Sequence, residues 1–216
     1  MKNFAVVLSG SGHKDGSEIT EAVSALISLS EANAGYQVFA PKMNAPAVNH
    51  LTNQDEAPRQ VMAEAARIAR GQVKNLSELK ASDFDGLVFP GGYGAAKVLC
   101  SFAQHGANCE VLPEVAKVIE DFYKAEKPIA AICIAPALIA RVLGKKGITV
   151  TIGHDAATAA EIRKTGAQHE NCAVTDYVTD REHRLVTTPA YMYDDAKPHQ
   201  VFQGIRSCIK EFVEMA

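Results

Sequence analysis

The residues best placed for chemistry lie in the run Ala130-Ala131-Ile132-Cys133-Ile134-Ala135-Pro136. A thiol stands here between an apolar strand and the start of a helix. A strand–nucleophile–helix turn is tight, and it pushes its middle residue out of the sheet and into a site. A helix N-terminus favours negative charge, so the sequence predicts a Cys133 pKa below that of a free thiol. The N–H of Ile134 would face an oxyanion formed beside the sulfur, and Gly91-Gly92, closing another apolar run, could expose further N–H groups. A thiolate also needs a proton partner. Glu18 follows the first strand on the same sheet edge, where it can be that partner or the capping acid of the first helix. His154 follows the fifth expected strand and reaches the same edge, either as a proton shuttle or as an exposed loop imidazole.

Other patterns lack a part that their chemistry needs. Gly10-Ser11-Gly12 begins a dinucleotide fingerprint, but Asp15 stands where the third glycine belongs and no acid ends the second strand. Gly91 to Lys97 is close to a phosphate loop, yet Ala96 replaces the glycine before the lysine and Val98 the hydroxyl that would hold magnesium. Cys100, His105 and Cys109 are three soft ligands within ten residues, without a paired motif or a nearby fourth ligand. Ordinary buried thiols explain the two cysteines as well, and the same holds for Cys172 and Cys208. No metal or cofactor is expected.

The elements that must position Cys133 follow from hydrophobic pattern. Phe4–Leu8 reads as a buried strand. A helix then opens at Asp15-Gly16-Ser17-Glu18, with Asp15 as cap, Ile19, Ala22, Val23, Leu26 and Ile27 as its apolar face, and Gly35 as its end. Strands are expected over Tyr36–Ala40, Asp85–Pro90, Pro128–Cys133 and Ile148–Ile152. A hairpin is expected from Val174–Thr179 to Arg184–Thr188. Helices are expected over 58–70, 95–104, 112–124, from Pro136 onward, 156–165 and 195–214, and residues 42–56 read as loop. Strands alternating with helices imply a mostly parallel sheet covered on both faces, with ligands beyond the carboxyl ends of its strands. That rule selects the loops 9–17, 90–97, 133–136 and 152–156.

Composition agrees with one α/β domain of 216 residues: 47% hydrophobic, 22% charged, formal charge -3. There is no basic excess to meet nucleic acid and no apolar run of about 18 residues to cross a membrane. Phe4–Leu8 is too short for a signal-peptide core. Five unclustered cysteines make no disulfide framework, so a cytoplasmic location is expected.

Cys133 on its turn, Glu18 at the first helix and Gly91-Gly92 after a strand together resemble the PfpI-like branch of the class I glutamine-amidotransferase-like superfamily. Longer stretches are similar to the ElbB family of glyoxalase-like proteins. They include Asp15-Gly16-Ser17-Glu18-Ile19, Phe89-Pro90-Gly91-Gly92-Tyr93-Gly94-Ala95-Ala96-Lys97, Cys133-Ile134-Ala135-Pro136 and Val186-Thr187-Thr188-Pro189-Ala190-Tyr191-Met192. They run in order over almost the whole chain. The resemblance implies a flavodoxin-like three-layer α/β/α sandwich over residues 1–216 and a homodimer. It also implies conversion of glyoxal, a small dicarbonyl, to glycolate without glutathione. In it Cys133 is the nucleophile, Glu18 its carboxylate, Gly92 and Ile134 the oxyanion donors, and His154 a further site residue. Ser11 departs from relatives that carry a second cysteine there. A glutaminase would need a His-Pro-Glu-like step where this chain has Thr188-Pro189-Ala190. A redox-sensing or regulatory dimer would use the same pocket and thiol.

Overall fold

The computed structural model describes all 216 residues. In chain order the strands are β1 (Asn3–Val7), β2 (Gly35–Ala40), β3 (Asn44–Val48), β4 (Asp55–Gln60), β5 (Val73–Asn75), β6 (Gly86–Phe89), β7 (Ile129–Ile132), β8 (Thr149–Val150), β9 (Gln168–His169), β10 (Val178–Asp180) and β11 (Leu185–Thr188). The helices are α1 (Ile19–Glu31), α2 (Val61–Ile68), α3 (Tyr93–Lys97), α4 (Phe102–His105), α5 (Pro113–Lys124), α6 (Ala135–Leu143), α7 (Ala156–Lys164) and α8 (Pro198–Met215).

Seven strands form one sheet in the order β10-β11-β7-β6-β1-β2-β5. Every pairing in it is parallel except the β10–β11 hairpin. Alternation along the strands creates two cores, one on each face. Ala5, Val7, Leu87, Phe89, Ile129 and Ala131 face one way, under α5, α6 and α7. Phe4, Val6, Leu8, Val88, Ala130 and Ile132 face the other, under α1 and α8. The expected flavodoxin-like α/β/α layering is the one observed, and no helix is long and apolar enough to cross a membrane.

Five expectations need correction. Ile148–Ile152 contributes β8, but this strand pairs only with β9 in a separate small sheet. The sheet position beside β7 belongs to β11, whose four residues are all buried. Residues 42–56 are not loop throughout: β3 and β4 form an antiparallel hairpin over loop 10–16, with Val48 N–H donating to Asp15 (2.7 Å) and Lys14 Nζ to the His50 carbonyl (2.9 Å). Asp15 is thus occupied by the hairpin, and the cap of α1 is Glu18, whose carboxylate accepts the Glu21 N–H at 2.7 Å. The buried face of α1 is rotated accordingly. Glu21, Ala25, Ser28 and Leu29 lie inside with the expected Ala22 and Leu26, while Ile19, Val23 and Ile27 remain 50%, 38% and 45% exposed. Asn33, in the left-handed region at φ 53°, turns the chain out of the helix, and Gly35 already belongs to β2.

Candidate active site

β1, β6 and β7 lie side by side and end at one edge of the sheet, so the loops that follow them converge. β7 runs apolar to Ile132, where the chain must turn at once into α6. Cys133 makes that turn with φ 62°, an uncommon conformation for a side chain of its size, and its N–H still completes the ladder to Thr188 (2.9 Å). Its thiol is only 6% exposed but lines a cleft of roughly 1030 Å³. Glu18, Gly92, Tyr93, Ile134 and Tyr191 stand around it on the same cleft wall.

The carboxyl that meets the sulfur is Glu21, which the sequence reading passed over. Glu21 is the third residue of α1, and side chains in a first turn tilt back toward the helix N-terminus. The tilt carries Glu21 under the turn to the end of β6. One carboxyl oxygen accepts the Gly91 N–H (3.0 Å) and the other the Tyr191 N–H (3.2 Å). The second contact exists because Ala190 takes φ 45° and so aims the next N–H inward. Glu18 lines the cleft, but its carboxylate caps the helix, so its assignment as thiol partner is corrected to Glu21.

The backbone N–H groups of Gly92 and Ile134 lie beside the sulfur. Gly92 has φ 90°, and a Cβ there would stand 2.4 Å from the Glu18 nitrogen and the Gly16 oxygen. His154 is elsewhere: it is exposed, packs tilted against Tyr193 at 4.5 Å between centroids, and does not line the cleft. The fifth expected strand lies outside the main sheet, so the loop after it does not bring His154 to the thiol. His13 lines the cleft. Burial and then the neighbouring His50 lower its pKa.

Burial raises the Glu21 pKa to about 8, helped by the Glu18 charge and opposed by the Tyr191, Cys133 and Gly91 donors. Burial and then the Glu21 charge push the Cys133 thiol well above its ordinary value, against the Gly92 and Ile134 N–H groups. The lowered thiol pKa expected from the helix N-terminus is therefore corrected: desolvation outweighs the dipole. The two groups form one proton-sharing unit. At neutral pH Glu21 holds its proton, and a carboxyl O–H can donate to sulfur while the same oxygen accepts from Gly91. A Cys133 thiolate would then face three donors and no carboxylate charge. This arrangement suits a nucleophile that ionises as it reacts.

The DJ-1/PfpI family model matches residues 12–194, which include the Gly92, Cys133 and Ala190 turns. The chain belongs to the DJ-1/PfpI family. Within the class I glutamine amidotransferase-like superfamily it is similar to the rat ES1 protein homolog, mitochondrial, at 40% identity over 98% of this chain and 83% of the relative. The human glutamine amidotransferase-like class 1 domain-containing protein 3, mitochondrial, is also 40% identical, over 98% of this chain and 82% of the relative. Among solved structures, an isoprenoid biosynthesis protein with amidotransferase-like domain from Ehrlichia chaffeensis superposes with a TM-score of 0.93. It is 36% identical and covers 100% of this chain and 99% of its own. The mitochondrial names of the rat and human relatives overturn the cytoplasmic location expected above. Unpaired thiols speak against an oxidising compartment but do not choose among reducing ones.

Proposed function

We propose that this family member is a glutathione-independent, ElbB-like glyoxalase that converts glyoxal to glycolate on Cys133. The observation that carries the reading is the Cys133 thiol on its strained turn, backed by the Glu21 carboxyl and flanked by the Gly92 and Ile134 N–H groups. In this scheme the sulfur adds to one aldehyde carbon and gives a hemithioacetal, whose oxygen lies toward the two N–H groups. The hydrogen on that carbon leaves as a proton and returns to the neighbouring carbon through an enediol. Glu18, the carboxylate on the cleft wall, carries it, while Glu21 keeps its own proton beside the sulfur. The product is a thioester of glycolate, and water releases it. The balance is glyoxal plus water to glycolic acid, with no external oxidant or reductant.

Cys133→Ala is expected to reduce glycolate formation to the level of buffer, measured by enzymatic or chromatographic assay of glycolate. Unchanged turnover in that variant would end the reading.

The homodimer implied by the resemblance belongs to the same proposal. Ile19, Val23 and Ile27 recur every four residues and form an exposed apolar stripe on α1, directly beside Glu18. Val23→Asp is expected to halve the mass seen by light scattering after gel filtration. A mass unchanged from the unmutated protein would remove the stripe from the interface.

A further inference from the structure

We propose that Cys100 and Cys109 form a reversible disulfide that staples one wall of the catalytic cleft. The site is separate from Cys133, and the proposal holds whatever that thiol reacts with. Cys100 forms an antiparallel bridge with Val111, flanked by the bonds Ser101 N–H to Glu110 O (2.9 Å) and Leu112 N–H to Leu99 O (3.0 Å). Alternate residues of a strand share a face, so Val111 and Cys109 stand on the same side as Cys100. The two side chains are neighbours there, and the Cys100 S–H has two acceptors in reach, the Cys109 sulfur and the Ala95 carbonyl oxygen (3.3 Å). The chain between them contains α4, and Phe102, Ala103, Gln104, His105 and Gly106 all line the cleft. This segment is tied at its base by the short ladder and at its tip by the Ala107 N–H to Glu161 (2.9 Å). His105, once grouped with the two cysteines as a soft ligand, turns to the Ser101 hydroxyl (3.0 Å) and leaves the thiols as a pair.

The pair is chemically asymmetric. Arg141 on α6 donates its Nε–H to the Cys109 carbonyl (2.7 Å) and lays its charge beside that residue. The Cys100 S–H and then this charge hold Cys109 below an ordinary thiol, whereas the same contact and burial hold Cys100 above one. Cys109 is therefore the attacking sulfur and Cys100 the resolving one. With hydrogen peroxide as oxidant, the Cys109 thiolate takes one oxygen, giving a sulfenic acid and hydroxide. The Cys100 sulfur then displaces that oxygen as water while its own proton is lost, and the S–S bond forms. Two thiols are oxidised and one peroxide is reduced to water. Both sulfurs are closed to solvent, at 0% and 4% exposure for Cys109 and Cys100, so the reaction requires residues 102–108 to open. The disulfide then restrains that movement of the wall, and a thiol reductant releases it.

The test uses the full-length protein and Cys133→Ser, each treated with hydrogen peroxide, unfolded, alkylated and digested with trypsin. Val98–Lys117 carries both cysteines in one tryptic peptide. The expected result is a peptide lighter by two hydrogens and resistant to alkylation, restored by dithiothreitol, with slower amide hydrogen exchange over 102–108 in the oxidised protein. Cys100→Ala should leave a sulfenic acid at Cys109 that dimedone traps. The proposal is overturned if both thiols alkylate fully after a peroxide dose that oxidises Cys133. It is equally overturned if either cysteine pairs with Cys172 or Cys208 instead, or if exchange over 102–108 is unchanged by the bond. The reading on the unmutated chain decides the matter even where a cysteine variant folds poorly.

Discussion

Gly91→Ala is expected to lose more than about 4 kcal/mol of stability, beyond the 1–3 kcal/mol of ordinary overpacking. A Cβ at Gly91 would lie 2.4 Å from the Cys133 Cβ, 2.6 Å from Glu21 Oε2 and 2.8 Å from the Ile132 carbonyl oxygen. None of the three can yield cheaply. The Cys133 Cβ and the Ile132 oxygen are fixed by the β7 backbone, and the Glu21 carboxyl is held by the Gly91 and Tyr191 N–H groups. Relief would require β6 to part from β7 at the point where the thiol is presented. Gly91 does not have a positive φ, so its cost is one of contact alone. Gly147→Ala is the opposite case: nothing lies within 4 Å, but φ is 80°. That variant should lose only about 1–2 kcal/mol, the ordinary charge for a left-handed side chain. Urea unfolding of both separates the two effects. Equal midpoints for the two variants would show that the Gly91 loop shifts freely, and the packed site described here would be wrong.

The sheet and its thiol were legible because the signals for them are local. An apolar run ending at Cys133, followed by Ala135-Pro136, fixes both the strand and the helix start, and Gly91-Gly92 marks the close approach beside them. The carboxyl was misplaced by three residues because the helix cap was misplaced by three. Asp15 with Glu18 reads as a cap and its partner, but the hairpin of β3 and β4 takes Asp15, a contact from 33 residues away. With Glu18 as the cap, Glu21 falls in the position that tilts under the turn. A pattern Glu18-x-x-Glu21 was present in the sequence and would have pointed there. Of the five residues expected on the face of α1, Ala22 and Leu26 are buried, while Ile19, Val23 and Ile27 are not, because the helix packs through Ala22, Ala25, Leu26, Ser28 and Leu29. His154 was lost through topology. A five-residue alternating stretch such as Ile148-Thr149-Val150-Thr151-Ile152 looks the same whether it joins the main sheet or only a two-residue ladder beside it, and long-range pairing alone decides.

The stability of the protein is expected to fall as pH rises from about 6.5 to about 8, the reverse of what paired surface carboxylates give. Glu21 ionises near 4.5 in an unfolded chain and at about 8 in the folded one, because it is fully buried and lies near Glu18. Across that interval the native state holds a proton that the unfolded chain has released, so unfolding releases a proton and becomes easier at higher pH. One such group gives a slope approaching about 1.4 kcal/mol per pH unit, which levels off above about 8 once the native carboxyl also ionises. Cys133 extends the same trend above the ordinary thiol value of 9.0, since its pKa is also raised. His13 and His169 act the other way but only below about 6.5, where burial keeps them neutral while the unfolded chain takes up protons. Cys109, whose pKa is lowered, also acts the other way below 9.0, so the difference between the unmutated protein and Glu21→Gln is what reports Glu21. Urea titrations at intervals of half a pH unit should show the fall in the unmutated protein and its absence in Glu21→Gln. That variant cannot ionise, but it should still cost stability at every pH. The carboxyl hydroxyl can accept from Gly91 and donate to sulfur together, whereas an amide nitrogen in the same place meets the Gly91 N–H as a second donor. A pH dependence between 6.5 and 8 that is the same in the unmutated protein and in Glu21→Gln would mean that Glu21 is ionised at neutral pH, and the Cys133 thiolate would then have a negative charge against it instead of a proton donor.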